Sequence, residues 1–349
     1  PISVISNYNS NLPVRINQGS AIPNVGFQQL YNFGVQVNWK NKFTLQIAPE
    51  YQFAENLSYP GFPLNSPDWD QYYYYLNHID IPERFGEQAI NTLNLGQSYI
   101  QYTYKNWAAK ISTENKWWGP ASFNPLILGS NAPGFLHGSI STIKPINTPV
   151  GEVEAELIGG ILNNSGYGPP EQNRISTWEK TWLYKPKKDS NRYLVGLVYS
   201  WQPKWVPGMY IGFAKLRMSY QNEFFSETSA SMGSWFMRYT MPKEHAEIYF
   251  EYGRSDTDLR IDNIFQSQPY GRGYTAGVKK GYEIGSNKQL ILIGAELTNL
   301  SLPERDQVLY NPKSWYLDDY IRQGFTHRGR VLGAGIGPGS NAQTIYLQW

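Results

Sequence analysis

The chain has no cysteine among its 349 residues, so disulfides, thiolate metal sites and a cysteine nucleophile are all excluded. It also lacks any stretch approaching the roughly 18 consecutive apolar residues of a membrane helix, which rules out helical spanning. An excess of one charge is missing too. The 30 Lys and Arg stand against 28 Asp and Glu, a net of +2, which gives no basic surface suited to nucleic acid. Aromatic residues, by contrast, are abundant: 12 Trp, 27 Tyr and 15 Phe. Mean hydropathy is nonetheless −0.49, so these rings must be interleaved with polar residues rather than gathered in long runs.

The interleaving has a period of two. Tyr31, Phe33, Val35, Val37 and Trp39 alternate with Asn32, Gly34, Gln36 and Asn38. After a turn at Lys40-Asn41, Phe43, Leu45, Ile47, Tyr51 and Phe53 stand against Thr44, Gln46, Glu50 and Gln52. Such strands suit a wall with apolar solvent on one side and a polar interior on the other. The pattern returns over 97–104, 107–114, 137–145, 151–162, 193–201, 209–220, 232–241, 246–255, 273–284, 288–299 and 341–349, with one more strand expected before residue 20. It predicts an all-β fold, a transmembrane antiparallel β-barrel of about 16 to 18 strands, with 174–184 and 326–336 as further strand candidates.

Connections fall into two lengths. Tight turns are expected at Lys40-Asn41, Lys105-Asn106, Thr148–Gly151 and Gly285-Ser286-Asn287, where Asn and Gly suit the backbone. Long loops are expected over 54–96, 115–136 and 300–325, the first with helical character from Ile81 to Leu95. Short periplasmic turns and long extracellular loops are the asymmetry of outer-membrane barrels. No internal repeat interrupts the pattern, so residues 1–349 read as one barrel domain. Ile345, Leu347 and the final Trp349 share a face, an ending that resembles the terminal-aromatic signature by which the barrel-assembly machinery recognises its clients. That machinery and outer-membrane lipid are therefore expected partners. No charged region followed by an apolar one precedes the first strand, so any signal peptide is expected to have been removed already or to lie outside this sequence.

With the apolar set turned to lipid, the lumen collects Glu50, Lys110, Glu114, Glu152, Glu154, Glu156, Lys215, Arg217, Arg238, Glu247, Glu251, Lys279 and Glu283. Within this set, Glu152, Glu154, Glu156, Lys215, Arg217, Arg238, Glu247 and Glu251 are expected to form a charge network. Glu152, Glu154 and Glu156 share one face of one strand, so bases on adjacent strands or an inserted loop should lie opposite them. The alternative is that they line a wet channel. No catalytic residue stands out. His78, His137, His245 and His327 lack metal-ligand spacing, and Asp256, Asp258 and Asp262 lack the glycine and closing acid of a calcium loop. No cofactor or metal is expected, and the Gly333–Gly337 stretch has no βαβ unit around it to make a nucleotide fingerprint.

Two segments carry more than periodicity. The first runs Asn115-Lys116-Trp117-Trp118-Gly119-Pro120 and continues from Asn124 through Leu126-Ile127-Leu128-Gly129-Ser130-Asn131-Ala132-Pro133-Gly134 to Phe135. The second runs from Gln323-Gly324-Phe325-Thr326-His327-Arg328-Gly329-Arg330 to Gly337-Pro338-Gly339-Ser340. Together they resemble the Wzi family of capsule-assembly proteins. The resemblance implies an outer-membrane barrel, closed by its own loops, that acts as a lectin tethering capsular polysaccharide to the cell exterior. It implies no enzyme. The chain looks compact for the family, with little room before the first strand for the periplasmic helical element of enterobacterial members. A polar-lumen porin and a subunit of a larger outer-membrane complex remain the alternatives.

The residues themselves suit a sugar. Trp117 or Trp118 offers a ring to stack on a pyranose, and Arg328 and Arg330 offer forks for glycan carboxylates. Gly119, Pro120, Asn131 and His327 complete the candidate set. An equally concrete reading makes the same segments a plug of the barrel mouth, with the arginines paired to lumen glutamates. The two readings can coexist.

Overall fold

The computed structural model describes residues 2–40, 42–176, 179–223, 228–255, 271–285, 289–302 and 313–349. Position 41, the 286–288 turn and Asp256, Asp258 and Asp262 lie outside the described residues.

Strands form where the alternation is strongest. In chain order they are β1 (Ile2–Asn9), β2 (Gly26–Phe33), β3 (Val35–Trp39), β4 (Phe43–Ile47), β5 (Glu50–Ala54), β6 (Ile90–Asn94), β7 (Tyr99–Tyr104), β8 (Trp107–Ser112), β9 (His137–Thr142) and β10 (Ile146–Thr148). There follow β11 (Gly151–Leu162), β12 (Arg192–Pro203), β13 (Met209–Tyr220), β14 (Ala230–Met241), β15 (Ala246–Ser255), β16 (Arg272–Ile284), β17 (Gln289–Asn299), β18 (Thr326–His327), β19 (Arg330–Val331) and β20 (Asn341–Gln348). Every wall ladder is antiparallel, from β3–β4 round to β17–β20. Strands β1, β2, β5 and β6 form a second ladder that continues the first, because β2–β3, β4–β5 and β6–β7 are long strands bent near Gly34, Pro49 and Gly96. Proline cannot donate to the ladder, and Gly96 adopts φ +57°, so the wall bends there.

Counting each bent strand once, and β10 as the continuation of β9, gives fourteen wall strands among the described residues, below the expected 16 to 18. The two extra candidates are not wall. Among the described residues, segment 174–184 makes the bridge Ile175–Trp182, and 326–336 makes the two-residue hairpin β18–β19. The helix expected over Ile81–Leu95 is also displaced. Pro82 and Gly86 break that stretch and β6 uses its end, while α1 forms at Trp69–His78 and buries Tyr73, Leu76 and Asn77.

The outer face is apolar at alternate positions: Val35, Val37, Trp39, Phe43, Leu45 and Ile47 on one side, Ile293, Leu297, Ile345 and Leu347 on the other. A band of exposed hydrophobic side chains this extensive is what hydrocarbon requires of a barrel. At one end the wall is joined by tight turns, such as Lys105-Asn106, and at the other by long connections. These are called the turn side and the loop side below. The hydrophobic core is not between sheets. It lies inside the wall on the loop side, where Leu126, Ile127, Leu128, Trp315, Tyr316, Phe325 and Leu332 pack against inward Ile158, Leu194, Leu216, Met218 and Met232.

Candidate functional site

The two motif segments, some 200 positions apart, meet in space. Gly129 N–H donates to Leu332 O (2.8 Å), and Asn131 Nδ2 donates to Val331 O (3.1 Å). The Arg330 guanidinium donates to Asn131 Oδ1 (2.9 Å), Arg15 O (2.9 Å) and Ala21 O (2.5 Å). Trp315 Nε1 and Tyr316 OH both donate to Leu126 O, at 3.3 and 2.9 Å. Trp315, Tyr316, Leu126, Ile127 and Ala334 have no solvent exposure at all. The segments are one folded plug. Three strand-poor stretches, residues 10–25, 113–136 and 313–340, satisfy one another's backbone groups, as irregular backbone inside a barrel must.

Wall carboxylates latch the plug in place. Glu296 on β17 accepts the backbone N–H groups of Ser122 (2.6 Å), Phe123 (3.1 Å) and Asn124 (2.8 Å), and also the Tyr249 hydroxyl (2.7 Å). Glu251 on β15 accepts Ser234 Oγ (2.7 Å) and Leu126 N–H (3.4 Å). Glu156 on β11 accepts Lys116 Nζ (2.5 Å) and Trp118 Nε1 (3.1 Å). Gly119 stands at φ +95°, where an added Cβ would lie 2.7 Å from Glu251 Oε2, so the WWGP turn needs glycine at that step. Opposite Trp118, Gly196 leaves the space its ring occupies: a Cβ there would come within 2.7 Å of the indole.

The expected charge network separates into parts. Glu156 meets a base from an inserted segment, Lys116, while Glu152 and Glu154 face neutral Gln202 and Ser200 across the ladder. Arg238, Glu247 and Lys279 form a cluster of their own on the turn side, with Glu247 Oε2 2.5 Å from Arg238 and Oε1 3.1 Å from Lys279. Glu251 bonds the plug rather than a base. Lys215 and Arg217 are a correction. Their register partners Leu197 and Val195 are exposed on the outer face, so both bases point away from the lumen. The inward neighbours there, Ala214, Leu216 and Met218, are apolar because they pack on the plug, so polarity alone misassigned the face.

The candidate sugar-binding residues separate as well. Trp118, Asn131, His327 and Arg330 are buried in the plug, and Arg330 is spent on backbone carbonyls and Asn131 rather than on lumen glutamates. His327 Nδ1 accepts Asn163 N–H at 3.0 Å, and burial, with Arg328 and Arg192 nearby, pushes its pKa down to about 3. It is a neutral, buried acceptor within the plug. Trp117 and Pro120 line a turn-side cavity of about 670 Å³ together with Glu152, Glu154, Tyr210 and Arg238. Arg328 alone of the second motif's bases stays exposed, in a left-handed conformation at φ +47°, donating to Asn94 Oδ1 at 2.7 Å. Tyr167, 43% exposed, packs on Phe85 and Gly86, and Phe85 in turn lies against Gly329, the residue after Arg328. Sequence reasoning missed Tyr167 and Glu296. Glu296 follows Gln289-Leu290-Ile291-Leu292-Ile293-Gly294-Ala295, where both faces are apolar and no alternation marks the lumen side.

An antiparallel barrel with lipid-facing alternation and an internal plug defines a class: membrane β-barrels closed by their own segments. Within it, the family profile "Capsule assembly protein Wzi" matches residues 15–191, just over half of the chain, and the chain belongs to that family. Among solved structures it is similar to Wzi of Escherichia coli, described as a carbohydrate-binding β-barrel of the outer membrane involved in group 1 capsule assembly. The identity is 11%, the TM-score 0.63, and the match covers 99% of this chain and 66% of that one. The chain thus spans just under two thirds of that protein's length. OccAB4 of Acinetobacter baumannii aligns at 9% identity over 85% of this chain and 66% of that one, with a TM-score of 0.38. OmpT of Vibrio cholerae aligns at 11% over 85% of each, with a TM-score of 0.34. No curated protein sequence matches.

Proposed function

We propose that this chain is an outer-membrane barrel, one domain over residues 1–349, that binds a capsular or other surface polysaccharide and holds it at the cell exterior. One observation carries the reading: both family motifs are used to fill the loop-side lumen, so the barrel's business lies on its surface and not along its axis. A porin needs that space open. The contact surface we favour is the exposed Arg328, Asn94 and Tyr167, where a guanidinium fork and an aromatic face stand near one another. Trp118 and Arg330 support it from below. The terminal Ile345, Leu347 and Trp349 face outward, which suits recognition by the barrel-assembly machinery. Catalysis is no part of this reading.

The test is a glycan array with the detergent-solubilised chain, beside capsule retention on intact cells of a deletion strain. Arg328→Gln combined with Tyr167→Ala is expected to lose about tenfold or more in glycan retention with an unchanged melting temperature, since each removed contact is worth about 1 kcal/mol. Absence of any retained glycan from the wild-type chain, together with full capsule retention in the deletion strain, sinks the proposal.

A further inference from the structure

The bases that leave the lumen have a place of their own. On the outer face, the ladders align Phe213 with Trp235, Trp235 with Tyr252, and Tyr252 with Tyr274, an aromatic belt across β13, β14, β15 and β16. Phe213 and Trp235 touch, with ring centroids 5.1 Å apart. Trp and Tyr settle at the headgroup level of a bilayer, so this belt marks where hydrocarbon ends on the loop side. One step further toward the loops, the next outward row reads Lys215, Gly233, Arg254 and Arg272. Arg217 stands one step beyond Lys215, opposite Ser231.

Charge and position agree. A base facing lipid at mid-bilayer costs about 2–4 kcal/mol, falling to about 0–1 near the interface. Four bases gathered just past an aromatic belt therefore sit where that cost has vanished and where lipid anions lie. Among the described residues, the outward ladder positions beside Lys215 and Arg217 are Val195, Leu197, Ser231 and Gly233, none acidic. Gly233 leaves a gap between Lys215 and Arg254 in the row. Arg217 is already oriented, its Nε donating to Ser229 Oγ at 3.0 Å, and every one of the four bases has a further contact within the chain. Arg254 is buried and adds charge behind the more accessible Lys215, Arg217 and Arg272.

We propose that the loop-side outer face of β13–β16 is a docking site for the phosphate-bearing headgroup of a glycolipid in the surrounding leaflet, held by Lys215, Arg217 and Arg272 above the Trp235–Tyr252–Tyr274 belt. The site is independent of glycan binding by the loops. It gives the barrel a fixed height and a preferred lipid neighbour on one side of its wall.

The test uses the full chain in detergent micelles doped with diphosphoryl lipid A, read by native mass spectrometry. The wild-type chain is expected to retain the lipid, to lose about tenfold in affinity when the same lipid is enzymatically dephosphorylated, and to keep it against millimolar inorganic phosphate. Each of Lys215→Gln, Arg217→Gln and Arg272→Gln is expected to weaken retention about fivefold, the worth of one base near an anionic surface. Lys204→Gln, the same charge change on the turn side, should leave it unchanged. Heat-dependent gel mobility confirms that each variant is folded, and the dephosphorylated lipid tests the wild type alone should a variant fail. Equal retention of the dephosphorylated lipid, displacement by inorganic phosphate, or an equal loss with Lys204→Gln overturns the proposal.

Discussion

The two halves of the lumen are built from the same strands and behave oppositely. On the loop side, β11 to β14 turn Ile158, Leu194, Leu216 and Met232 inward onto a dry plug; on the turn side the same strands present Glu152, Glu154, Gln202 and Arg238 to an open cavity of about 670 Å³. Each wall strand changes its inward chemistry along its length, from water-facing to core-forming. A barrel thus contains a globular core in one half and a vestibule in the other. The carboxylates at the boundary do the joining: Glu156, Glu251 and Glu296 accept hydrogen bonds from the plug's backbone and indole donors instead of pairing with lumen bases. A hydrogen bond to a charged acceptor contributes about 1.5–3 kcal/mol, so the Glu156 latch, which also pairs with Lys116, adds to the packing it anchors.

The contrast is broken most strongly at the plug. Trp315→Ala removes a side chain with no exposure and a hydrogen bond to Leu126, and Trp118→Ala removes one that is 4% exposed; each is expected to cost about 3–5 kcal/mol, seen as a lower melting temperature in detergent. Should Trp118→Ala instead abolish glycan retention at unchanged stability, the ring belongs to a binding surface and the plug assignment is wrong there. Next in size is acid. His327 has a folded pKa of about 3 against 6.5 unfolded, so the unfolded chain binds the proton first. Its contribution is complete above pH 6.5 and is lost as pH falls toward about 3. His327→Gln, followed by thermal unfolding between pH 7 and 4, is expected to flatten that slope. The smallest effect lies on the turn side, where Glu152→Gln with Glu154→Gln should change stability by less than about 0.5 kcal/mol, because both side chains face the cavity.

Much of this was legible beforehand, and the failures share a cause. Alternation located the long strands from β11 to β17 within a few residues, because one face must meet hydrocarbon whatever fills the inside. The two motifs were visible as segments, yet nothing in their spacing told that Gly129 would pair with Leu332 or that Arg330 would face carbonyls. The rule of a polar inward face failed where the plug packs. There Leu216 and Met218 point inward and Lys215 and Arg217 outward, the reverse of what polarity suggests. It failed again at Glu296, whose flanks are apolar on both faces. Tight tertiary contact, not local pattern, decided these positions.

The central claim is that the chain's own segments seal the loop-side half of the barrel. Single-channel recording in a planar bilayer tests it most directly. The wild-type chain is expected to insert and stay electrically silent, with current appearing only when Trp315→Ala loosens the plug. Large, steady conductance from the wild-type chain would contradict the account.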